Sequence, residues 1–238
     1  FLDIKILKKF KFNRTIKIGV GQSKIRQKDI NDYKMICDNF KDIYMNYEFT
    51  KNWFNNSAIK TKIKTFINSE NINKILEIGS WEGQSSVYFS DNLLDNKNSF
   101  LICVDPFMDT GKKTSVLWKD GKEIVKNRFI NNIKKSKNSK KITYYNETSD
   151  IFFKKNKTAF NFIYLDGCHN PDYVKRDVNN AFKVLEKNGI IWINDYLAKK
   201  IPEHPLTPKI IIDEFLKENT GIYEIIYKEY QIAIRKLC

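Results

Sequence analysis

The chain has 238 residues, which is long enough for one large α/β domain with an appendage and too short for two independent enzyme domains. Its 42 Lys and Arg residues outnumber its 28 Asp and Glu residues and give a formal net charge of +14. No apolar run reaches the roughly 18 residues of a membrane-spanning helix, and the first residues, FLDIKILKKFKFNR, lack the apolar block of a secretion signal. We therefore expect a soluble protein with no membrane partner.

The cysteines and the positive charge bear on location and partners. Cys37, Cys103, Cys168 and Cys238 lie far apart and form no CxxC pair, which favours a reducing, cytoplasmic compartment. A charge of +14 is typical of nucleic-acid-binding proteins, but Lys is spread along the whole chain without one dense block. The sequence thus favours a small-molecule or glycan substrate, with a nucleic acid as the alternative.

Residues 1–70 predict an N-terminal hairpin and helical cap. Alternation of apolar and polar residues over 10–20 indicates a small hairpin. Apolar residues recur at helical spacing over 29–47 and again over 53–67, which indicates two amphipathic helices. These helices carry more aromatic residues than one sheet edge needs, so we expect them to form contacts in a homo-oligomer or to cover the substrate site.

After residue 70, strands and helices alternate regularly, and we assign residues 71–238 to the main domain. Five short apolar strands are predicted at 75–79, 100–105, 142–146, 160–166 and 189–195. Helices are predicted at 84–94, 121–135, 171–187 and 208–218. The final stretch, IYEIIYKEYQIAIRKLC, predicts two more strands joined by a turn near Tyr230 and Gln231. The expected fold is α/β and Rossmann-like: a mostly parallel seven-stranded sheet with an antiparallel C-terminal strand and helices on both faces.

A glycine-containing turn follows the first of these strands, in KILEIGSWEGQSS. A dinucleotide-binding turn requires G-x-G-x-x-G, whereas this one reads E-x-G-x-x-x-G, with Trp81 where a phosphate would need a small residue. The turn therefore favours a ligand without phosphate at this point, such as S-adenosylmethionine. The residues predicted to contact this cofactor from the turn are Glu77, Gly79, Ser80, Gly83 and Ser85. Asp166, after the fourth strand, is predicted to contact the cofactor as well and to act in catalysis.

The ends of the next two strands add polar groups to the predicted cofactor site. Asp105 ends the second strand in LICVDPF, where an acid can accept hydrogen bonds from both ribose hydroxyls; the alternative is that it caps a turn with Pro106. The third strand is followed by NETSD, whose Thr148 and Ser149 are placed to meet the adenine. Each signal is weak alone, and together they favour S-adenosylmethionine.

A second group of polar residues follows the fourth and fifth strands, in FIYLDGCHNPDYVKRDVNNAFKVLEKNGIIWINDY. Asp166 and His169 come after the fourth strand, and Asn194 and Asp195 end the fifth. Adjacent parallel strands bring these side chains to one edge, where two carboxylates and an amide oxygen suit Mg²⁺. Zinc is disfavoured because the chain has only 2 His, and His169 is then available as a general base.

Each of these residues also has a structural alternative. Asp166 could form a turn with Gly167, His169 could simply begin a helix, and Asn194 and Asp195 could cap the following loop. In the same segment, Tyr173 and Asp177 are interpreted as a packing residue and an exposed helix residue. The joint placement at two neighbouring strand ends favours the functional interpretation.

Together, ILEIGSWEGQSS, ICVDPF and YLDGCHNPDYVKRDVNNAFKVLEKNGIIWINDY resemble the class I S-adenosylmethionine-dependent methyltransferases over residues 72–238. More narrowly, they are similar to the metal-dependent O-methyltransferase branch that contains macrolide sugar and cephalosporin-type tailoring enzymes. The resemblance implies cofactor contacts from Glu77, Gly79 and Asp105, a metal on Asp166 and Asp195, and His169 as the base. Relatives commonly end the fifth strand with two acids, so Asn194 is expected to be a weaker ligand through its amide oxygen.

The function that follows is an S-adenosylmethionine-dependent O-methyltransferase that uses a divalent cation, expected to be Mg²⁺, and acts on a sugar with vicinal hydroxyls. The sugar could be free, nucleotide-linked or part of a glycan. One alternative is an RNA ribose 2'-O-methyltransferase, although such enzymes usually use a K-D-K-E set and the edge here is acidic with one His. The other is a non-catalytic S-adenosylmethionine-binding protein.

Overall fold

A computed structural model of the protein describes residues 47–108, 121–198 and 206–238. The hairpin predicted at 10–20 and nearly all of the first predicted helix lie outside these stretches, so both stay predictions, as does the oligomer inferred from them. Within the described stretches, every helix is too short or too polar to traverse a lipid bilayer.

Seven strands form one sheet in the order β3-β2-β1-β4-β5-β7-β6. Their bounds are β1 Lys74–Ile78, β2 Phe100–Val104, β3 Ile142–Tyr145, β4 Phe160–Leu165, β5 Leu185–Ile193, β6 Tyr223–Lys228 and β7 Ile232–Lys236. Strand β7 runs antiparallel to both of its neighbours, and the other adjacent pairs are parallel. The predicted mostly parallel sheet with an antiparallel C-terminal strand is confirmed.

The helices of the described stretches are α1 Ala58–Lys62, α2 Gln84–Leu93, α3 Lys122–Lys135, α4 Ser149–Lys155, α5 Pro171–Val184 and α6 Pro208–Glu218. Helices α2, α3 and α6 agree with prediction to within one residue at each end. The helix predicted over 53–67 is wrong in detail, because the chain there forms α1 flanked by two 3₁₀ turns, Phe54–Asn56 and Ile63–Thr65. Helix α4 was not predicted at all.

The junction between α5 and β5 also differs from prediction. The helix ends at Val184 instead of residue 187, and β5 begins immediately at Leu185. The strand contains an irregularity opposite β4, and Asn188 has a φ of 63° in the left-handed region. Asn is among the few residues that adopt this conformation readily, so the early strand is accommodated by a local bulge that apolar periodicity does not reveal.

Buried apolar residues cover both faces of the sheet, as expected for strands that are apolar on both sides. One face packs against α2, α3 and the segment around α1, and the other packs against α5 and α6. Phe54, Ile59 and Ile63 belong to the first of these cores. The described end of the predicted cap therefore shares the core of the main sheet.

The turn after β1 lies very close to the turn after β4. Gly79 has a φ of +86°, and a Cβ atom at this position would lie 2.2 Å from the carbonyl oxygen of Asp166. That distance is far below any real contact of a Cβ atom, so only glycine fits without moving the backbone. The backbone at Asp166 therefore requires glycine at position 79, whatever ligand approaches the turn.

We predict that Gly79→Ala destabilises the protein by several kcal/mol, because the added methyl group meets backbone that cannot move aside. Gly221→Ala is the matched control: its φ is +90°, but nothing lies within 4 Å of the added atom. The control should cost only the backbone strain, about 1 kcal/mol. Chemical denaturation of both variants measures the difference, and equal losses would show that the close approach is not tight.

Candidate active site

The carboxyl ends of β1, β2, β4 and β5 meet at one edge of the sheet. The backbone pairing continues one residue beyond the strands: Gly79 N–H donates to Val104 (2.9 Å) and Asp166 N–H to Ile78 (2.8 Å). Asn194 N–H donates likewise to Leu165 (2.9 Å). The structure therefore brings the residues predicted at four separate strand ends to a single edge.

Glu77 stabilises the turn after β1 through buried hydrogen bonds. The residue is fully buried, and its carboxylate accepts hydrogen bonds from the hydroxyls of Ser80 (2.8 Å), Ser85 and Ser86. Burial raises the pKa of Glu77, against the lowering effect of these serine hydrogen bonds. Three of the predicted cofactor residues thus bond to one another inside the turn, with Ser86 as a partner that the sequence did not suggest.

Asp105 closes the same turn from the end of β2. Its Oδ2 accepts the backbone N–H groups of Ser80 (2.8 Å) and Trp81 (2.9 Å), and its Oδ1 accepts that of Phe107 (2.7 Å). Burial raises the pKa of Asp105, although the three backbone hydrogen bonds lower it. The structure shows the turn-capping role, since the hydrogen bond from Phe107 spans Pro106, and contact with ribose hydroxyls stays a prediction.

Glu82 connects this turn to two other parts of the chain, which sequence reasoning missed. Its buried carboxylate accepts the backbone N–H of Thr50 (2.6 Å) and a guanidinium N–H of Arg128 in α3 (3.0 Å). In addition, the rings of Trp53 and Trp81 contact each other, with centroids 5.7 Å apart. The segment before α1 is therefore joined to the turn by the hydrogen bond of Thr50 to Glu82 and by the contact of Trp53 with Trp81, whereas the ion pair with Arg128 joins the turn to α3.

The remaining predicted cofactor residues have clear structural roles. Gly83 precedes α2 with a φ of +82°, and a Cβ atom there would lie 3.0 Å from the Phe129 ring. Thr148 caps α4, since its hydroxyl accepts the backbone N–H of Ile151 (3.4 Å), and Ser149 is the first residue of that helix. Predicted contact of Thr148 and Ser149 with adenine stays a prediction.

Asp166, His169 and Asp195 form a cluster at the ends of β4 and β5. One ligand atom of each residue lies within 4.8 Å of the others. His169 Nε2 lies 2.9 Å from Asp195 Oδ2, and the Tyr164 hydroxyl donates to Asp166 Oδ2 (2.9 Å). A donor set of two carboxylates and one imidazole fits a divalent cation, whereas the sequence predicted two carboxylates and the amide oxygen of Asn194, with His169 as the base.

Asn194 lies between the two carboxylates but is turned the opposite way from the prediction. Its Nδ2 donates to Asp166 Oδ1 (2.8 Å) and to Asp195 Oδ2 (3.1 Å), while its Oδ1 accepts a hydrogen bond from Gln231. The amide oxygen that was expected to bind the metal faces away from the cluster. The predicted metal ligation by Asn194 is therefore corrected, because an amide nitrogen with two protons cannot bind a cation.

A family model described as a methyltransferase domain matches residues 76–196, just over half of the chain. The chain belongs to this methyltransferase family. The matched residues run from β1 to just beyond β5 and include both the glycine-containing turn and the carboxylate cluster. The resemblance to methyltransferases noted in the sequence is thereby confirmed, whereas its narrower metal-dependent sugar branch is not.

Solved structures of low sequence identity share the fold of this methyltransferase. An O-methyltransferase of Bacillus cereus in complex with SAH has a TM-score of 0.54 at 11% identity, over 93% of this chain and 94% of its own. The O-methyltransferase NovP has a TM-score of 0.52 at 14% identity, over 76% of each chain. A Clostridium thermocellum protein assigned as an rRNA methylase has a TM-score of 0.55 at 12% identity, over 75% and 93%. No curated protein sequence matches the chain.

The pKa values of Asp166 and Asp195 in this methyltransferase are shifted in opposite directions. Burial and the neighbouring charge of Asp195 raise the pKa of Asp166 to about 8. Burial acts on Asp195 as well, but the hydrogen bond and charge of His169 outweigh it, so the pKa of Asp195 is lowered. Burial depresses the pKa of His169, and the same contact with Asp195 raises it by more. Asp166 thus holds a proton near neutral pH unless a cation takes its place.

Asp177 corrects a further interpretation of the sequence, because this residue is buried (7% exposed) rather than exposed. It lines a small cavity with Asp166 and His169, and its Oδ1 has no hydrogen-bond partner among the described residues. Burial raises the pKa of Asp177 to about 6. Its helical spacing from Val174 and Ala181 already placed it on the buried side of α5, and its charged side chain masked that signal.

We predict that Asp177→Asn stabilises the methyltransferase at pH 7.5 by up to about 3 kcal/mol, from two pKa units of about 1.4 kcal/mol each. The folded state holds the proton up to about pH 6, whereas the unfolded carboxyl loses it near its ordinary pKa of 3.8. The free energy of unfolding of the unmodified protein therefore falls as pH rises between these values, and the gain from the substitution disappears near pH 4.

Denaturation of the Asp177→Asn variant at pH 4 and pH 7.5 measures this effect. Glu214→Gln is the control, since it removes one negative charge from an exposed position on α6. The control should show no comparable dependence on pH. A gain that is equal at both pH values would contradict the burial of an ionised carboxylate at position 177.

Proposed function

We propose that the protein is an S-adenosylmethionine-dependent, divalent-metal-dependent O-methyltransferase that acts on a sugar with vicinal hydroxyls. The observation that carries the proposal is the placement of the glycine-containing turn and the Asp166, His169 and Asp195 cluster on adjacent strand ends. Membership of the methyltransferase family supports the reaction class, and the Bacillus cereus O-methyltransferase that shares the fold contains SAH.

The turn after β1 fits S-adenosylmethionine better than a dinucleotide. The consecutive backbone N–H groups of Ser80 and Trp81 would be the natural anion site of such a turn. Both already donate to the carboxylate of Asp105. A phosphate group would meet that negative charge at the same place, so a ligand without phosphate at the turn is favoured. The buried Asp105 and Glu77 also leave the cationic sulfonium cofactor in a negative environment.

The cluster supplies the groups that methyl transfer to oxygen requires. The C–S bond of the cofactor breaks as the new O–C bond forms, and the acceptor hydroxyl loses its proton. His169 Nε2 faces Asp195 Oδ2 at 2.9 Å, which leaves Nδ1 of the neutral ring to take that proton. Asp195 then stabilises the imidazolium, and an acceptor held beside this ring meets the methyl group in line.

Asp166 and Asp195 are the residues that would hold the divalent ion, which when bound supplies positive charge to polarise two vicinal hydroxyls. A cation in place of the proton on Asp166 would offset the repulsion that arises between the two buried carboxylates once both are ionised. Vicinal hydroxyls occur in sugars and in catechols. A sugar is preferred because the sequence motifs are most similar to those of sugar-modifying members.

An RNA ribose methyltransferase is the second candidate, because one protein with the same fold is assigned as an rRNA methylase and this chain carries a charge of +14. The strand-end residues argue against it. Among the described residues at this edge, the cluster contains two acids and one His, and the side chains bonded to its acids are Tyr164, Asn194, Tyr230 and His169 rather than a Lys. A non-catalytic binding protein would bind the cofactor and fail every turnover assay below.

We predict that His169→Ala lowers kcat by about 10² to 10⁴, the usual range for loss of a general base. Affinity for S-adenosylmethionine, measured by calorimetry, should change little because the cofactor turn is on β1. Lys175→Ala, at an exposed position of α5, is the control and should keep full activity. A His169→Ala variant with an unchanged kcat would remove this residue from the reaction.

We also predict that chelation abolishes methylation of nucleotide-linked and free sugars while cofactor binding is retained, because the ion belongs to the acceptor side of the site. Addition of Mg²⁺ or Mn²⁺ should restore the rate. The assay follows transfer of a labelled methyl group to each acceptor. A catechol is included as the acceptor that has vicinal hydroxyls but is not a sugar. Full activity after chelation would disprove the metal requirement and leave the His169 and Asp195 pair as the whole base.

A further inference from the structure

Gln231, which lies between β6 and β7, reaches the carboxylate cluster through a buried chain of hydrogen bonds. The residue is 2% exposed. Its Oε1 accepts the backbone N–H of Ile59 (3.0 Å) and the indole N–H of Trp192 (2.9 Å). Backbone and indole nitrogens can only donate, so the atom of Gln231 that they face must be the amide oxygen.

The orientation of Gln231 determines the orientation of Asn194. With its oxygen engaged, Gln231 turns its Nε2 toward Asn194, and Nε2 can only donate. Asn194 must therefore present its oxygen to Gln231 and its nitrogen to the other side. There, the two N–H groups of Asn194 meet Asp166 Oδ1 at 2.8 Å and Asp195 Oδ2 at 3.1 Å.

We propose that Gln231 is a positioning residue for the candidate active site: it fixes Asn194 as a double N–H donor that holds Asp166 and Asp195 side by side. With one N–H directed at each carboxylate, Asn194 reduces their mutual repulsion and fixes their rotation. The lone pairs that remain on both carboxylates are free for His169 and for a cation. The role of this brace in methyl transfer rests on the proposed function, whereas the orientation of Asn194 does not.

Residues that orient the ligands of a metal or a base typically change activity by about 10-fold to 100-fold when they are removed. We expect a loss of about 10-fold in kcat for Gln231→Met, which keeps the length of the side chain and removes its hydrogen bonds. The same substitution is also made in the Asn194→Ala variant. If Gln231 acts only through Asn194, the kcat of this double variant should differ from that of Asn194→Ala by less than about 2-fold. A merely structural role would lower kcat by the same factor in both backgrounds, and that result would overturn the proposal.

The orientation itself is measured by NMR on the full chain labelled with ¹⁵N-asparagine. The side-chain signals of Asn194 are identified by their absence from Asn194→Ala. In the unmodified protein they should lie downfield of the other asparagine side chains and exchange slowly, because both protons bond to carboxylates. In Gln231→Met they should move upfield and exchange faster. Signals that are the same in both proteins would overturn the proposal.

If Gln231→Met does not fold, Gln231→Glu takes its place in both measurements, since a carboxylate still accepts from Ile59 and Trp192 but gives Asn194 no N–H. The two measurements also separate this proposal from the proposed function. Failure of the unmodified protein to methylate any sugar would refute the proposed function. In that case, the NMR comparison still decides whether Gln231 orients Asn194.

Discussion

The close approach of the turns after β1 and β4 is the constraint on which the rest of the site depends. Gly79 allows the backbone of Asp166 to lie against it, closer than any side chain would permit. The ladder of backbone hydrogen bonds then continues past the strand ends, so that residue 166 begins its turn beside the β1 turn and residue 194 beside residue 166. A turn suited to a cofactor and a cluster suited to an acceptor are thereby held in one rigid edge.

Several buried carboxylates at this edge are hydrogen-bonded within the protein and stabilise its own turns. Glu77 is satisfied by serine hydroxyls, Asp105 by backbone N–H groups and Glu82 by Arg128 and the segment around Thr50. These buried carboxylates shape the turn, and satisfied buried polar groups fix one conformation. Of the carboxylates described at this edge, Asp166 combines a pKa raised to about 8 with partial exposure, which is the combination expected where chemistry occurs.

The mostly parallel sheet and the edge that carries the site could be predicted because continuous apolar segments alternate with amphipathic helices, and parallel strands end at a common edge. Helix α4 could not, since seven residues are too few for a periodic signal. The start of β5 depends on a bulge, and the burial of Asp177 runs against its charge. The orientation of Asn194 is set by Gln231, 37 residues further along the chain, so no local pattern could reveal it.

Strand β7 follows β6 in the chain but lies between β5 and β6 in the sheet. A ribosome therefore completes all the other strands before the one that closes the sheet, and the turn that carries Gln231 can dock only when β7 inserts. Until that moment, a nascent chain has both strand-end carboxylates and no amide held between them. The geometry of the carboxylate cluster is thus tied to the insertion of the last strand of the sheet, although both carboxylates belong to segments made earlier.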